Sequence, residues 1–445
     1  MKTRTLYRCT SCGQSSPKWM GRCPACGEWE TFVEEVQERG TPSRTVSAAG
    51  IQAVALPDVN ADQAPRKRTG INELDRVLGG GLVPGSIVLL GGDPGMGKST
   101  LTLQLAANLG TTAGTALYVT GEESLHQIKQ RADRLGLSAS GVAVASETSI
   151  ERIGALIAQT SPALVIVDSI QTMVTEQLES SAGSVAQVRE CTALLTKIAK
   201  SSGIPTILIG HVTKDGLLAG PKVLEHMVDA VLQFEGDGMY SYRVLRALKN
   251  RYGSTNEIGV FDMLSTGLAE VANPSEVLLS NRRAGEPGTA VVAVTEGTRP
   301  LLVEVQALVS PSGYATPQRV STGYDSKRLQ LILAVLEKRG GISTRQSDVF
   351  VNVAGGISIQ DPALDLGMAV AIASSVRDSP IPPTMAFVGE LGLTGEIRRV
   401  AHLEQRVQEA IRLGLTTIFA PSTNKSVTHH VQPAERLIDV LRSLY

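Results

Sequence analysis

The segment with the clearest chemistry is a glycine-rich loop that reads Gly92-Asp93-Pro94-Gly95-Met96-Gly97-Lys98-Ser99-Thr100. It fits the pattern G-x-x-x-x-G-K-[ST], in which glycines let backbone N–H groups turn inward around phosphate oxygens. Lys98 supplies a mobile cation for the β- and γ-phosphates, and Ser99 is placed to ligate Mg²⁺. The helical stretch that follows adds the positive end of its dipole. The loop therefore predicts a binding site for ATP with Mg²⁺.

A single aspartate stands at the end of the apolar run Leu164-Val165-Ile166-Val167. We interpret Asp168 as the Walker B carboxylate, which holds the hydration shell of Mg²⁺. An aspartate in this position can also be a simple helix cap, since Ser169 starts a new segment. The phosphate-binding loop upstream favours the catalytic interpretation.

Two adjacent carboxylates follow another apolar run, residues 117–120. One of them, Glu122 or Glu123, can orient or deprotonate the water that attacks the γ-phosphate. Adjacent side chains diverge, so only one of the two should face the phosphate, and we favour Glu122. A solvated acidic turn is the alternative.

Two polar segments follow further predicted strands. His211 comes after residues 206–210, at the edge where ligands of open α/β sheets bind, and is a candidate γ-phosphate sensor or a structural histidine. Lys249 and Arg251 are cations at i and i+2 of an extended segment, so they lie on one side of it. They can act on a neighbouring subunit's ATP or bind DNA phosphates, and a solvated basic turn is the third possibility.

Four cysteines near the amino terminus have the spacing of a metal site: Cys9, Cys12, Cys23 and Cys26. Each C-x2-C turn presents two sulfurs to one point, so the four thiolates predict a closed tetrahedral Zn²⁺ site. With few apolar residues nearby, the metal should supply most of the folding energy of this finger. A redox pair is the alternative, although a thioredoxin-like context is missing. We expect the finger to serve structure and partner docking, and Cys191 to be a buried helical residue.

The elements that must position these residues are predicted from about Gly70 to Met263. Short apolar runs bounded by glycines and polar turns alternate there with amphipathic helical stretches, a pattern typical of buried parallel strands joined by helices. The runs are residues 86–90, 115–119, 163–167, 206–209 and 230–234. This pattern predicts an α/β nucleotide-binding core.

A second α/β region is predicted after Pro274. Its strands are expected at residues 290–294, 302–309 and 385–388, and its helices at 326–339, 363–376 and 403–413. The stretch between the cysteines and Arg68 is rich in Glu, Ser, Thr and Ala, which indicates a linker.

Several of these segments together resemble the RadA family of bacterial DNA repair proteins, also called Sms. They are residues 68–71, 79–85, 92–99, 118–123 and the pentapeptide at 249–253. The resemblance covers essentially the whole chain. It implies an α/β fold with a C4 zinc ribbon-like finger (1–35), a linker (36–68), a RecA-like P-loop NTPase core (69–273) and a Lon-protease-like, ribosomal S5 domain 2-like α/β domain (274–445).

The resemblance also implies a DNA-dependent ATPase of recombinational repair, acting as a helicase-like branch migration motor. It implies a hexameric ring with ATP between subunits, where Lys249 and Arg251 act on the neighbour's nucleotide or couple it to DNA. Single-stranded and branched DNA and the recombinase RecA are the expected partners. Glu122 and His211 match the RecA-type catalytic glutamate and γ-phosphate sensor, although RecA itself carries glutamine at the sensor position. Tyr252 replaces the commoner phenylalanine.

The Lon-like region raises the alternative of an ATP-regulated protease or chaperone machine. Ala363 occupies the place of the nucleophilic serine of Lon, and Glu404 that of the activating lysine, so the resemblance implies no proteolysis. Ser358 has no matching base. Basic pairs in this region can hold a DNA backbone if they converge on one face, and they are Arg282-Arg283, Lys327-Arg328 and Arg398-Arg399.

Composition excludes some classes of protein. The 445 residues are 42% hydrophobic and 19% charged with a net charge of -1, as in an ordinary globular protein without a general positive coat. No apolar run approaches the roughly 18 residues that span a bilayer, and no secretory apolar stretch follows Met1, so we expect a cytoplasmic protein without membrane partners. A signalling ATPase, the third class considered, would be expected to duplicate the ATPase core.

Overall fold

A computed structural model describes residues 4–37, 65–210, 223–236, 242–255, 257–280, 282–283, 285–314, 316–422 and 429–445. The chain divides into two compact units. The first unit is Met1–Phe234, Ala247–Gly253 and Leu264–Leu268, and the second unit is Glu235–Arg246, Ser254–Met263 and Ala269–Tyr445. His211, the predicted γ-phosphate sensor, lies outside the described residues, as do residues 38–64 of the predicted linker.

The four predicted metal ligands lie at the end of one strand and in the turns of a small antiparallel sheet. Its strands are β1 (Arg4–Cys9), β2 (Ser15–Ser16) and β3 (Phe32–Gln37), in the order β2-β1-β3. The N–H of Gly13 donates to the carbonyl of Cys9, and that of Gly27 to the carbonyl of Cys23, so both C-x2-C segments close into similar turns. Both glycines have a positive φ, 77° and 78°, a conformation that residues with a side chain rarely adopt. Cys9, Cys23 and Phe32 form the small core of this ribbon.

A parallel sheet forms most of the first unit. Its strands are β4 (Ile87–Gly91), β5 (Ala116–Thr120), β6 (Val142–Ser146), β7 (Leu164–Asp168), β8 (Thr206–Ile209) and β9 (Ala230–Glu235). The order is β9-β4-β8-β7-β5-β6, and every neighbouring pair is parallel. The helices are α1 (Asn72–Leu78), α2 (Lys98–Thr112), α3 (Leu125–Arg134), α4 (Ile150–Thr160), α5 (Val185–Ser202) and α6 (Val223–Met227), with a 3-10 turn at Ile170–Thr172.

The burial of these strands explains their sequences. β4, β5, β7 and β8 are buried along their whole length, so each is a continuous apolar run rather than an alternating one. Thr120 and Asp168 are neighbours in the register of β5 and β7, so the loops after these strands meet at one edge of the sheet. α3 then begins with a capping box between Ser124 and Gln127, which fixes the chain where it leaves that edge.

Three further strands contribute residues to both units, and they are β10 (Tyr242–Asn250), β11 (Ile258–Leu264) and β12 (Gly267–Glu270). β10 and β11 pair in antiparallel fashion. β10 ends at Asn250, so the predicted cations Lys249 and Arg251 lie at its carboxyl end.

The second unit is built on a mixed sheet with the strand order β15-β16-β14-β13-β17-β20-β21. The strands of this sheet are β13 (Thr289–Glu296), β14 (Arg299–Pro311), β15 (Arg319–Thr322), β16 (Ser347–Val353), β17 (Met385–Phe387), β20 (Thr417–Ala420) and β21 (Val431–Pro433). Two short strands, β18 (Glu390–Leu391) and β19 (Ile397–Arg398), form a separate antiparallel pair. The helices of this unit are α7 (Pro274–Leu279), α8 (Ser326–Gly340), α9 (Leu364–Arg377), α10 (Leu403–Arg412) and α11 (Leu437–Leu444).

The central helix of the second unit, α9, is buried along most of its length. It packs on β13 and β14, and Gly367 permits the close approach because a Cβ there would overlap the side chain of Val292. The predicted α/β class is confirmed in both units. Across the described ranges, every helix is too short or too polar to cross a bilayer.

Candidate nucleotide site and metal centre

The predicted phosphate-binding loop connects β4 to α2. Gly97 caps the helix with a φ of 96°, a left-handed conformation that suits glycine, and α2 begins at Lys98. The first N–H groups of a helix have no intrahelical acceptor, so they are available to phosphate oxygens. The Lys98 ammonium donates to the carbonyl oxygens of Gly92 at 2.6 Å and Asp93 at 2.9 Å. The lysine is thus folded into its own loop, at the place where the sequence predicts phosphate.

The charge of Lys98 is influenced by carboxylates from three segments. Burial lowers the pKa of Lys98, and the charges of Asp168, Asp93 and Glu122 act in the opposite direction. Charge interactions in such a buried setting are stronger than in water, because the surrounding dielectric constant is lower. The loop, the end of β7 and the turn after β5 therefore contribute to one site.

A buried tyrosine holds the predicted Walker B carboxylate. The hydroxyl of Tyr118 in β5 donates to Oδ2 of Asp168 at 2.5 Å, and Tyr118 is fully buried. Burial and the negative charge of Asp168 raise the pKa of Tyr118 well above its usual value, so this hydroxyl stays a hydrogen-bond donor. Sequence reasoning missed this role, because Tyr118 stands inside an apolar run where an aromatic side chain is expected to be core. Its polar hydroxyl was the available signal.

The two adjacent glutamates after β5 are turned apart. The hydroxyl oxygen of Thr120 accepts from the N–H groups of Glu122 at 3.3 Å and Glu123 at 2.9 Å, which folds the chain into a tight turn. The hydroxyl of Ser169, directly after β7, donates to the carboxylate of Glu122. Arg131 in α3 instead forms an ion pair with Glu123. Of the two, Glu122 is the one directed toward the end of β7.

The predicted cations lie at the opposite edge of the sheet, where the parallel strands begin. The backbone N–H of Arg251 donates to the carbonyl of Asp229 at 3.0 Å, and its guanidinium lies 3.3 Å from the Asp229 carboxylate. The Lys249 ammonium donates to two carbonyl oxygens at the end of α6, of Glu225 at 2.6 Å and of Val228 at 2.9 Å. Burial and the charge of Arg251 lower the pKa of Lys249, despite the nearby carboxylates.

The length of strand β4 separates the phosphate-binding loop from the predicted cations. Asp229 is hydrogen-bonded to Ile87, the first residue of β4, whereas the phosphate-binding loop starts at Gly92 after its last residue. A five-residue strand spans about 13 Å at about 3.3 Å per residue. Arg251 therefore lies at the far end of the strand from Lys98 of the same chain. Its side chain is 55% exposed.

The four predicted metal ligands converge on one point. The sulfur atoms of Cys9, Cys12, Cys23 and Cys26 lie within 4.8 Å of one another, with 3.5 Å between Cys12 and Cys23. Burial opposes ionisation of Cys9, but hydrogen bonds with Thr31 and with backbone N–H groups outweigh it and lower the pKa of this thiol to about 6. Four sulfurs at this separation fit a tetrahedral ion that binds sulfur at about 2.3 Å. Cys191 is fully buried in α5, where burial raises its pKa to about 12.

The Lon-like positions of the second unit contain a buried ion pair. Ala363 stands at the amino end of α9 and is fully buried. Arg406 of α10, 2% exposed, donates to the carboxylate of Asp361 and, at 3.0 Å, to the carbonyl of Ala293. Glu404 lies in the first turn of α10. The amino end of α9 is therefore packed with a structural arginine and lacks a nucleophilic side chain at position 363.

The basic pairs predicted as DNA contacts are partly neutralised. Arg282 lies 3.8 Å from the carboxylate of Glu304, Arg328 pairs with Asp365, and Arg398 lies 2.6 Å from Glu396 in ion pairs within the second unit. The geometry thus gives these three arginines structural partners of their own.

Three family models match successive parts of the chain. A rubredoxin metal binding domain matches residues 7–34, an AAA domain matches residues 53–217, and the ChlI subunit of magnesium chelatase matches residues 325–424. They cover the ribbon, the sheet with the phosphate-binding loop, and much of the second unit. The predicted order of a metal ribbon, a P-loop ATPase core and a further α/β domain is confirmed.

Relatives of nearly the same length share half of the residues. The protein named DNA repair protein RadA of Bacillus subtilis is 50% identical over 428 residues, which cover 95% of this chain and 93% of the relative. The proteins of the same name from Halalkalibacterium halodurans and Listeria monocytogenes are 52% and 51% identical, again over 95% of this chain and 93% of each relative. At this identity over nearly its full length, the chain belongs to the RadA family of DNA repair proteins.

Proposed function

We propose that the chain is a DNA-dependent ATPase of recombinational DNA repair, which binds single-stranded DNA and drives branch migration of intermediates formed by RecA. The observation that carries the proposal is the single site formed by Lys98, Asp168 and Glu122 at the carboxyl edge of a parallel sheet. Membership of a family named for DNA repair supplies the polynucleotide substrate. We expect the activity in the cytoplasm, where bacterial DNA lies.

In the proposed mechanism, the backbone N–H groups of residues 92–100 and the Lys98 ammonium bind the phosphates of ATP. Ser99 and Asp168 would hold Mg²⁺, which neutralises charge on the β- and γ-phosphates when bound. Tyr118 keeps the Asp168 carboxylate oriented, and Ser169 does the same for Glu122. Glu122 positions the attacking water and accepts its proton.

We further propose that hydrolysis requires a second subunit. Lys249 and Arg251 lie across the sheet from the phosphate-binding loop of their own chain, and Arg251 is exposed. A head-to-tail ring brings the starting edge of one sheet to the ligand edge of the next, so these cations can neutralise charge on a neighbour's ATP. The exposed position of Arg251, away from its own phosphate-binding loop, supports the hexameric ring expected from the resemblance. His211 retains its proposed role as γ-phosphate sensor.

The remaining parts of the chain have supporting roles in the proposal. The four cysteines hold Zn²⁺ in the ribbon, a closed site suited to structure and partner docking. The second unit is a Lon-like scaffold without proteolytic activity, which is supported by Ala363 and by the buried pair of Arg406 with Asp361.

ATP turnover measured with and without single-stranded DNA tests the proposal. We expect DNA to stimulate the wild-type protein, and Lys98→Ala to lower turnover about 100-fold, because the main phosphate cation is removed. Lys129→Ala is the matched control, since this lysine is exposed on α3 and pairs with Asp133. It should leave turnover unchanged.

Full DNA-stimulated turnover in Lys98→Ala would refute the site assignment. Stimulation by casein instead of DNA, with release of peptides, would support an ATP-regulated protease.

A further inference from the structure

We propose that Asp229 is the positioning residue that fixes Arg251 for its role at a neighbouring subunit's triphosphate. The inference rests on the proposed function, in which Arg251 acts in trans. Neither its sequence position nor a motif marks Asp229, which stands between Val228 and the start of β9.

Asp229 is a buried carboxylate with an unusually complete set of partners. The residue is 2% exposed, and its Oδ2 accepts from the Ile87 N–H at 3.0 Å and from the Lys200 ammonium at 2.6 Å. Its Oδ1 accepts from the Arg251 guanidinium at 3.3 Å. A buried carboxylate is stable only when its charge is compensated in this way.

Arg251 is tied to Asp229 at two points. Its backbone N–H donates to the Asp229 carbonyl, and its guanidinium to the carboxylate, so both the start and the tip of the side chain are fixed relative to one residue. One guanidinium nitrogen is used, and more than half of the side chain is exposed. The five N–H donors of arginine allow the others to reach an external anion.

Lys200 and Tyr252 complete the support. The Lys200 ammonium bonds to Asp229 and lies 3.2 Å from the Tyr252 hydroxyl and 5.9 Å from the centre of its ring. Burial opposes the charge, but the hydrogen bonds to Asp229 and Tyr252 prevail and raise the pKa of Lys200. The carboxylate therefore pairs with both Lys200 and Arg251, whose side chains are 46% and 55% exposed.

The same aspartate connects Arg251 to the strand that carries the phosphate-binding loop. The backbone N–H of Asp229 donates to the Ile87 carbonyl at 2.9 Å, while the Ile87 N–H donates back to the side chain. Ile87 and Gly91 are the two ends of β4. The phosphate-binding loop of the chain follows one end of this buried strand, and Arg251, proposed to act on the next subunit, is connected to the other end through Asp229. Asp229 thus links Arg251 to the first residue of β4.

A double-mutant cycle in the full-length protein tests this role. We expect Asp229→Asn to lower DNA-stimulated turnover about 10- to 100-fold through misplacement of the guanidinium, with ATP affinity at the phosphate loop unchanged. In an Arg251→Ala background, the same change should cause no further loss, because there is no guanidinium left to position. A residue of purely structural importance would instead lower turnover by the same factor in both backgrounds.

The control removes a buried carboxylate of the second unit. Asp365 is 1% exposed and paired with Arg328, so Asp365→Asn breaks a comparable ion pair. We expect Asp365→Asn to lower DNA-stimulated turnover by the same factor in the wild-type and the Arg251→Ala backgrounds. If thermal unfolding shows that Asp229→Asn is not folded, Asp229→Glu replaces it in the same cycle. This variant keeps the negative charge but shifts the guanidinium, so the expected result is the same.

The outcomes separate the two proposals. Normal turnover in Arg251→Ala would contradict the role of Arg251 itself. A strong effect of Arg251→Ala combined with multiplicative losses for Asp229→Asn would leave that role intact and overturn the assignment of Asp229.

Discussion

At the scale of single residues, hydrogen bonds turn two chemically equivalent side chains in different directions. Glu122 and Glu123 are neighbours of identical chemistry, and Thr120 turns the chain so that they point apart. Ser169 binds Glu122 beside the end of β7, while Arg131 neutralises Glu123. The Glu122 carboxylate is therefore the one held beside the end of β7.

We expect Glu122→Gln to bind ATP with normal affinity and to lower single-turnover hydrolysis about 100-fold or more, since the amide cannot accept the proton of water. Glu123→Gln is the isosteric control and should lower hydrolysis only slightly. Nucleotide titration and quenched-flow hydrolysis measure the two steps separately. The reverse order of the two variants would assign catalysis to Glu123.

The strand-terminal acids could be predicted from the sequence, but Tyr118 and Asp229 could not. Asp168 and Glu122 follow apolar runs, and parallel strands bring their carboxyl ends together. Tyr118 stands inside such a run, and its partner Asp168 is 50 residues away. Asp229 bonds to Ile87 across 142 residues. Contacts of this kind depend on strand order, which periodicity does not encode.

At the scale of elements, burial explains which parts of the fold were predictable. β4, β5, β7 and β8 are covered on both faces, so their continuous apolar sequences indicated strands of nearly the observed length. The ribbon strands were not predicted, because β2 has two residues and the turns are set by the cysteines rather than by an apolar face.

The ribbon should depend on its metal. We expect Cys12→Ser to lose one Zn²⁺ per chain and the ribbon fold, while the phosphate loop still binds ATP, since three ligands leave the tetrahedral site incomplete. Both tryptophans of the chain, Trp19 and Trp29, are in this module, so tryptophan anisotropy reports on it alone and should fall.

Cys191→Ser is the matched control, because this cysteine is buried in α5 away from the ligand set, and its zinc content should equal that of the wild type. Metal should also be lost more readily as the pH falls, because protons compete for the thiolates. Unchanged zinc content in Cys12→Ser would refute the four-cysteine site.

At the scale of the whole molecule, the first unit carries candidate functional residues at both ends of its parallel strands. The phosphate loop, Asp168 and Glu122 lie where the parallel strands end, and Lys249 and Arg251 lie where they begin. In the proposed mechanism such a subunit needs Lys249 and Arg251 of a neighbour, so the proposed activity belongs to the assembly. The sequence indicated both sets of residues, but their separation arises because β10 ends beside the start of β9, where the N–H of Arg251 donates to the carbonyl of Asp229.

Mixing two impaired variants tests this central claim most directly. Lys98→Ala subunits lack a working phosphate loop but keep Arg251, and Arg251→Ala subunits have the opposite defect. Random exchange in a head-to-tail ring places an intact loop against an intact Arg251 at about one quarter of the interfaces. We predict that an equimolar mixture regains DNA-stimulated ATP turnover up to about that fraction of the wild-type rate, whereas each variant alone keeps a much lower, still measurable rate. A mixture no more active than its separate components, with subunit exchange verified by differently tagged chains, would contradict the account.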